Sequence, residues 1–599
     1  MASLCIVTCL VFYACLGLQM ERKPGVRQRL QLTTRDRSEV DKVIDHVDEH
    51  AKKKFKDGKY SAADVHSLVA DVPGSRLAQK PGATDEYIKK NMSRNLIRKM
   101  TKSARYPEPY EIDCTFWDNE LQCKYTDRLH MLLPYETFDS LCEDGVSKFT
   151  DLPPHSNVSN MRAAWGARVL EPGADVSGFV ATGIWGDSGP FTSNDCLFIL
   201  LYSFLAPTTF KRVWITAFQK SIICQCGCFG RCTFDCIWSA VSWAYVHWMS
   251  GEYPWIRHDN VPFAQSKRVG DKRRWRDAKS RRRMRAKGCC NQKRGDWAWL
   301  KQCLNLRSWS GEGKLLKMCF RCGAQIGGDC PMTDVSMGAK WRSTRIADYL
   351  KLERTLGTYV SGMWAIPGMV LMQIVLDIMH VSDLGILQYF LGNVVFEMWR
   401  KLGGKFSSPK AALGLLVIFI KMGAKHLKLA KPLNKLTVGM FKPEKKEPRL
   451  KLKAAKTRHM LKILHWICTE IYPPENDHEE MRLHCLIEMH QFYLLLDAWE
   501  PGFEGLAQKH GRRHVALYLD LAREGLKTKE QLNLNWFPYK FYPKHHLFIH
   551  LVEEDTANWG NMKEHWGYLD ENEMGISTRI ASKQHCSFVH RSLVEKYRL

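Results

Sequence analysis

No stretch of this chain is apolar for long enough to make a comfortable transmembrane helix. Ala411 to Ile420 is too short, and the run around Leu376 is interrupted by Asp377, His380 and Asp383. Leu4 to Leu18 has the length of a signal-peptide core, but the positive residues that should precede it are missing and Glu21-Arg22-Lys23 follow it. Residues 1–24 are therefore read as an apolar segment of open status, a mispredicted or buried first segment in preference to a signal. The alternative is a true signal or anchor, which would make this a secreted or membrane-anchored Cys-rich protein. No internal repeat, parallel βαβ pattern or phosphate-binding glycine motif is present, which removes support for a nucleotide fold. Acidic residues are in deficit, 63 Asp+Glu against 88 Lys+Arg, for a formal charge of +25. So basic a surface collects polyanions, and a nucleic-acid partner is expected over a small-molecule substrate.

What is present argues for packed structure. A chain of 599 residues with 45% hydrophobic content, 20 Trp and 26 Phe can bury several cores. The 21 Cys are an odd number spread over a chain too long for a small disulfide scaffold, which favours a reduced compartment and some metal ligands. The densest patch, Cys224, Cys226, Cys228, Cys232 and Cys236, could hold a second metal, but it contains no His and matches no standard finger spacing, so a metal there is the lesser reading.

Residues 25–155 read as a helical N-terminal region. Val40, Val43, Ile44 and Val47 have helical spacing after Ser38, a second helix starts near Ser61, and a basic third spans about 85–102. Three such helices could form a DNA-binding module. From 156 to 347 the pattern turns to strands: Phe179 to Trp185, Leu197 to Phe204 and Arg212 to Phe218, then a helix over about 235–249. Three strands and a helix, with Asp187 just past the first strand, is how an RNase H-like core begins. Residues Cys289 to Arg294 make a poor strand by composition. The segment 267–294 reads as a basic loop whose Arg273, Arg274, Arg276, Arg281, Arg282 and Arg283 suit phosphate contacts or an import signal. Residues 348–535 read as an all-helical insertion, with 442–458 an exposed basic linker, and 536–599 close the core.

Two thiolates and two imidazoles complete a tetrahedral zinc set. Cys319-x-x-Cys322 and His545-x4-His550 supply one, with His546 competing for the place of His545. Three carboxylates can hold two divalent ions about 3.5–4 Å apart for phosphodiester chemistry, and carboxylate oxygens suit magnesium or manganese. The candidates are Asp187, Asp296 and Glu571, with Asp570, Glu573, Glu553 and Glu554 as competitors for the third position. Asp377, His380 and Asp383 read first as a buried polar network and second as metal ligands.

The ordered set Asp187, Asp296, Cys319-x-x-Cys322, His545-x4-His550 and Glu571 resembles CACTA-type DNA transposases and their relatives, among them the catalytic subunit of the V(D)J recombinase. Trp566-x-Tyr568-x-x-Glu571 resembles the Trp-Met-Tyr-Pro-Phe-Glu-Arg signature of the plant enzymes, and Asp377-x-Met379-His380 their Asp-x-Met-His segment. A nearer resemblance is to a transposon-derived protist family. It rests on Gly183 to Asp187, Arg294 to Trp297, Cys319 to Cys322, Asp377 to Gly385 and Tyr568 to Glu571, and it covers about residues 90–599. It implies a mixed α+β protein with an RNase H-like core interrupted by a helical insertion. It further implies two catalytic Mg or Mn ions on Asp187, Asp296 and Glu571, a structural Zn, a DNA partner, a nuclear location and strand transfer. The chain could act as a homodimer. A decayed or domesticated DNA-binding protein on the same scaffold is the second reading.

Overall fold

The computed structural model describes residues 106–582 except 143–144, 155, 207–210, 307–318, 347–358, 405–407, 430–432, 434–435, 442–446 and 532–537, with isolated positions on either side (42, 45–54, 64–65, 589, 593–594 and 597). The chain divides into two units, residues 1–55 with 62–99, and 56–61 with 100–599. In the first, 45–54 is helical and Val47 and Ala51, four residues apart on one face, are buried. The basic helix expected at 85–102, and residues 1–24, lie outside the described residues.

The second unit opens with a hairpin, β1 (Tyr110–Asp118) and β2 (Cys123–Met131), where only helices were expected. In β1 the apolar residues alternate, and Tyr110, Ile112, Cys114 and Phe116 are all buried. Helices α1 (Pro134–Leu141) and α2 (Asn157–Val169) follow. Then come β3 (Phe179–Pro190), β4 (Cys196–Phe204) and β5 (Arg212–Gln219), an antiparallel meander of near-continuous buried residues. The crossover helix α3 (Arg231–Ser250) and the short α4 (Asp271–Lys279) lead to β6 (Lys287–Gly295). This last strand pairs parallel with β3, so the sheet order is β5-β4-β3-β6. A single parallel bridge joins Lys293 to Ile374, with Val375 N–H donating to the Lys293 carbonyl at 2.9 Å, and so adds a fifth edge beside β6.

The poor strand is a strand. Its polar side chains are buried with partners, two of them supplied by distant segments and one from within the strand. Gln292 bonds His565 at 3.0 Å, Lys293 donates to the Cys290 sulfur at 2.7 Å, and Arg294 donates to Ser203 Oγ at 2.8 Å and pairs with Asp570 at 3.2 Å.

The two faces of the sheet carry different helices. On one, Thr182 meets the Tyr245 hydroxyl of α3 at 3.0 Å, and α5 (Trp297–Leu304) packs its Trp299 against Gly186. On the other lies α12 (Tyr568–Ala581), whose Met574 and Thr578 stand over Gly189. Between α5 and α12 the chain is mostly helical: α6 (Leu387–Gly403), α7 (Pro409–His426), α8 (Ala454–Trp466), α9 (Asp477–Asp497), α10 (Glu504–Gln531) and α11 (Pro543–His550). The described part of the expected exposed linker, 447–458, is instead packed: Leu450 and Thr457 are buried, and Leu450 N–H donates to the Gln388 carbonyl at 2.7 Å. The whole is a mixed α/β protein with small sheets.

Candidate metal centres

Asp187 lies within β3, which runs three residues past it rather than ending before it. Gly186 pairs in register with Gly295, so Asp187 and Asp296 are the next residues on two adjacent parallel segments. The junction is tight. A Cβ at Gly186 would stand 2.2 Å from the Trp299 indole, and one at Gly295 would stand 2.7 Å from the Gly186 carbonyl oxygen. Asp296 itself caps α5, its Oδ1 accepting from Trp299 N–H at 2.6 Å. Glu571 enters from the first turn of α12 across the sheet.

Asp187, Glu571 and His380 each place a ligand atom within 4.8 Å of the other two; Asp296, the third carboxylate expected from the sequence, is not in this group, and its side chain caps α5. Asp187 is held well above the usual carboxylate range, first by burial and then by the negative charges of Asp296 and Glu571. The competing acids are committed elsewhere. Asp570 is buried between Arg212 at 2.6 Å and Arg294 at 3.2 Å, and Glu573 accepts from Trp214 Nε1 at 2.9 Å. Glu553 pairs with Arg342 and Glu554 with Arg321.

The Asp377–Asp383 segment divides between its two readings. Met379–Ile386 forms a π-helical turn starting just past the Lys293–Ile374 bridge, which sets His380 at the carboxylates. Asp377 orients that imidazole by a 2.6 Å bond to Nδ1 and accepts from Gly567 N–H at 3.0 Å. Gly567 has to be glycine, since a Cβ there would lie 2.5 Å from Asp377 Oδ2. His380 Nε2 faces Glu571 at 3.6 Å. Burial opposes its charge, but Asp377, Glu571 and Asp187 outweigh that and raise it to about 9. Asp383 is a buried anchor bonded to Tyr493 at 2.5 Å and Tyr568 at 2.8 Å. The Asp-x-x-His spacing of Asp377 and His380, three apart on one helix face, is the sequence signal for this imidazole.

The second centre joins Cys319, Cys322, His546 and His550, all buried. His545 is not among them. Residues 546 and 550, four apart, share a helix face, whereas 545 and 550 are five apart and diverge. His545 instead caps the turn through Tyr542 and lies against Tyr518 and Phe541. The distances are Cys319–His550 3.6 Å, Cys322–His550 3.4 Å, Cys322–His546 3.3 Å and His546–His550 3.1 Å. These approximate the roughly 3.3–3.8 Å edges of a tetrahedron with 2.0–2.3 Å bonds, so the donor set fits zinc. His550 Nδ1 meets Glu554 at 2.9 Å, the outer carboxylate that fixes a ligating imidazole. Trp341 closes over both imidazoles.

The basic segment is not a loop. Arg274 is buried, with Glu136 at 2.8 Å and Asp271 at 3.1 Å, and Arg273 bridges Glu108, Glu136 and Asp277. Both are structural, because α4 packs its charged face on α1. Arg276, Arg281, Arg282 and Arg283 are exposed, Arg282 lying 3.7 Å from Asp139 and Arg283 beside Glu252.

Among the described residues, no helix is long and apolar enough to cross a membrane. No family model and no curated protein matches the chain.

Proposed function

We propose that this protein is a transposon-derived DNA transposase or recombinase of the DDE type, on an RNase H-like core with residues 348–535 as its helical insertion. One observation carries the reading: Asp187 and Asp296 follow register-paired glycines on adjacent parallel strands, and Glu571 reaches Asp187 from a helix laid across the same sheet. A three-stranded antiparallel meander, a crossover helix and a fourth strand parallel to the first support that core.

The oxygen-rich set fits magnesium or manganese, and the imidazole of His380 is tolerated better by manganese. Two such ions, when bound, activate water or a 3′-hydroxyl and stabilise the leaving oxygen. The chain's own part is positioning. Asp187 and Asp296 are fixed by the Gly186–Trp299–Gly295 junction, and Glu571 by α12, which Asp570 anchors to the sheet. Asp377 holds the His380 ring, and Lys544 Nζ donates to the His380 carbonyl at 2.9 Å. The Cys2His2 cluster would tie α11 to the segment after α5 as a structural zinc. DNA is the expected partner of the net positive charge, with Arg276, Arg281, Arg282 and Arg283 as the phosphate-contacting side chains, in a nuclear setting and in a protein that could dimerise.

The test is nicking of supercoiled plasmid with Mg2+ or Mn2+. Wild type should nick, and Asp187→Asn should lose at least a hundredfold in rate while duplex binding stays within about twofold, as expected for a residue acting on metal rather than on the duplex. Salt-sensitive binding without nicking by the wild type would favour the domesticated binding protein.

A further inference from the structure

We propose a second structural zinc site, formed by Cys224, Cys226, Cys228 and Cys232. The four sulfurs lie within 4.8 Å of one another. Cys226 and Cys232 are 3.9 Å apart, too far for a disulfide but close to the roughly 3.8 Å edge of a tetrahedron of 2.3 Å zinc–sulfur bonds. All four are free thiols. Thiolate-only donors select zinc over magnesium or calcium.

The backbone is wound to make this possible. Gly227, Phe229 and Gly230 all take left-handed φ, at 86°, 54° and 87°, within four residues. Phe229 gains no packing in exchange, being 76% exposed. A left-handed non-glycine residue costs about 1–2 kcal/mol, and a metal closing the turn is a physical reason for the chain to keep it. The fifth patch member, Cys236, is excluded: it lies one turn along α3, and its thiol donates to the Cys232 carbonyl at 3.2 Å.

The site joins three elements. Thr233 Oγ1 accepts from Cys224 N–H at 3.0 Å and donates to the Thr115 carbonyl of β1 at 2.6 Å. Asn119, in the β1–β2 turn, donates to the Ser221 carbonyl at 2.9 Å. Gln219, Leu197 and Gly189 are in register across β5, β4 and β3, so the Cys loop leaves the sheet two residues along β3 from Asp187. Lys220 Nζ there donates to Ser188 Oγ at 3.1 Å. Zinc here locks the hairpin and the Lys220 loop to the carboxylate edge of the sheet, whether or not those carboxylates are catalytic.

Zinc-edge X-ray absorption on the full native chain, purified under reducing conditions, tests this without relying on a variant that folds. Two sites, one with four sulfurs and one with two, average about three sulfur and one nitrogen ligands per zinc; the Cys2His2 site alone gives about two and two. Metal analysis of Cys226→Ser and Cys228→Ser should then show about one zinc fewer than wild type. A two-and-two average, a full zinc complement in both variants, or a Cys226–Cys232 disulfide in the native chain would overturn the assignment.

Discussion

Asp570 and Glu571 are neighbours in sequence that face opposite chemistry. Asp570 is buried between the guanidinium groups of Arg212 and Arg294, while Glu571 turns toward Asp187 and His380. Removing the first leaves two arginines facing an uncompensated buried site; removing the second relieves its repulsion with Asp187 and gives up its half-exposed pairing with His380, two effects that offset. Asp570→Asn should destabilise the protein by about 3–5 kcal/mol, whereas Glu571→Gln should leave stability unchanged or raise it. Urea unfolding of the two variants separates them, and equal losses would show that Glu571 is also part of the packing.

The choice of zinc imidazoles is open to a similar comparison. His546→Ala and His550→Ala should each lose about one zinc per chain, while His545→Gln should retain the full complement. Zinc retained in His546→Ala and lost in His545→Gln would return the ligand to the five-residue spacing.

Burial lowers both His514 and His565 from 6.5 to about 4. Below pH 6.5 the unfolded chain takes up protons that the folded chain refuses until about pH 4. They are therefore neutral to stability well above pH 6.5 and cost it progressively as pH falls through that window. Each should contribute up to about 1.4 kcal/mol per pH unit to the slope. Denaturant midpoints measured between pH 4.5 and 7 should fall with acid, and less steeply in His514→Asn. An identical slope in the variant would mean that His514 is already charged in the fold.

The meander, α3 and most of the later helices were legible because their residues carry the pattern themselves. Leu197 to Phe204 is a continuous buried run, and Asp477 to Asp497 begins at an Asn476 cap. The pairing of Asp187 with Glu571 was legible only through the ordered set of motifs, since nothing local distinguishes Glu571 from Asp570 or Glu573. That difference lies in Arg212, Arg294 and Trp214, all hundreds of residues upstream. Strand β6 was misread for the same reason: Gln292 and Arg294 look like loop residues until the remote His565 and Asp570 pair with them. Arg273 and Arg274 looked like phosphate ligands because Glu136 and Glu108 are remote in sequence. The exchange of His546 for His545 could have been anticipated from helix geometry alone.

Anomalous diffraction from crystals soaked in Mn2+ tests the central claim, that Asp187, Asp296 and Glu571 form one metal-binding centre, most directly. The expected result is manganese bound by Asp187 and at least one of the other two carboxylates, absent from Asp187→Asn crystals while the Cys2His2 zinc remains. Full manganese occupancy elsewhere with none at Asp187, or undiminished manganese at the carboxylates in Asp187→Asn, would contradict it.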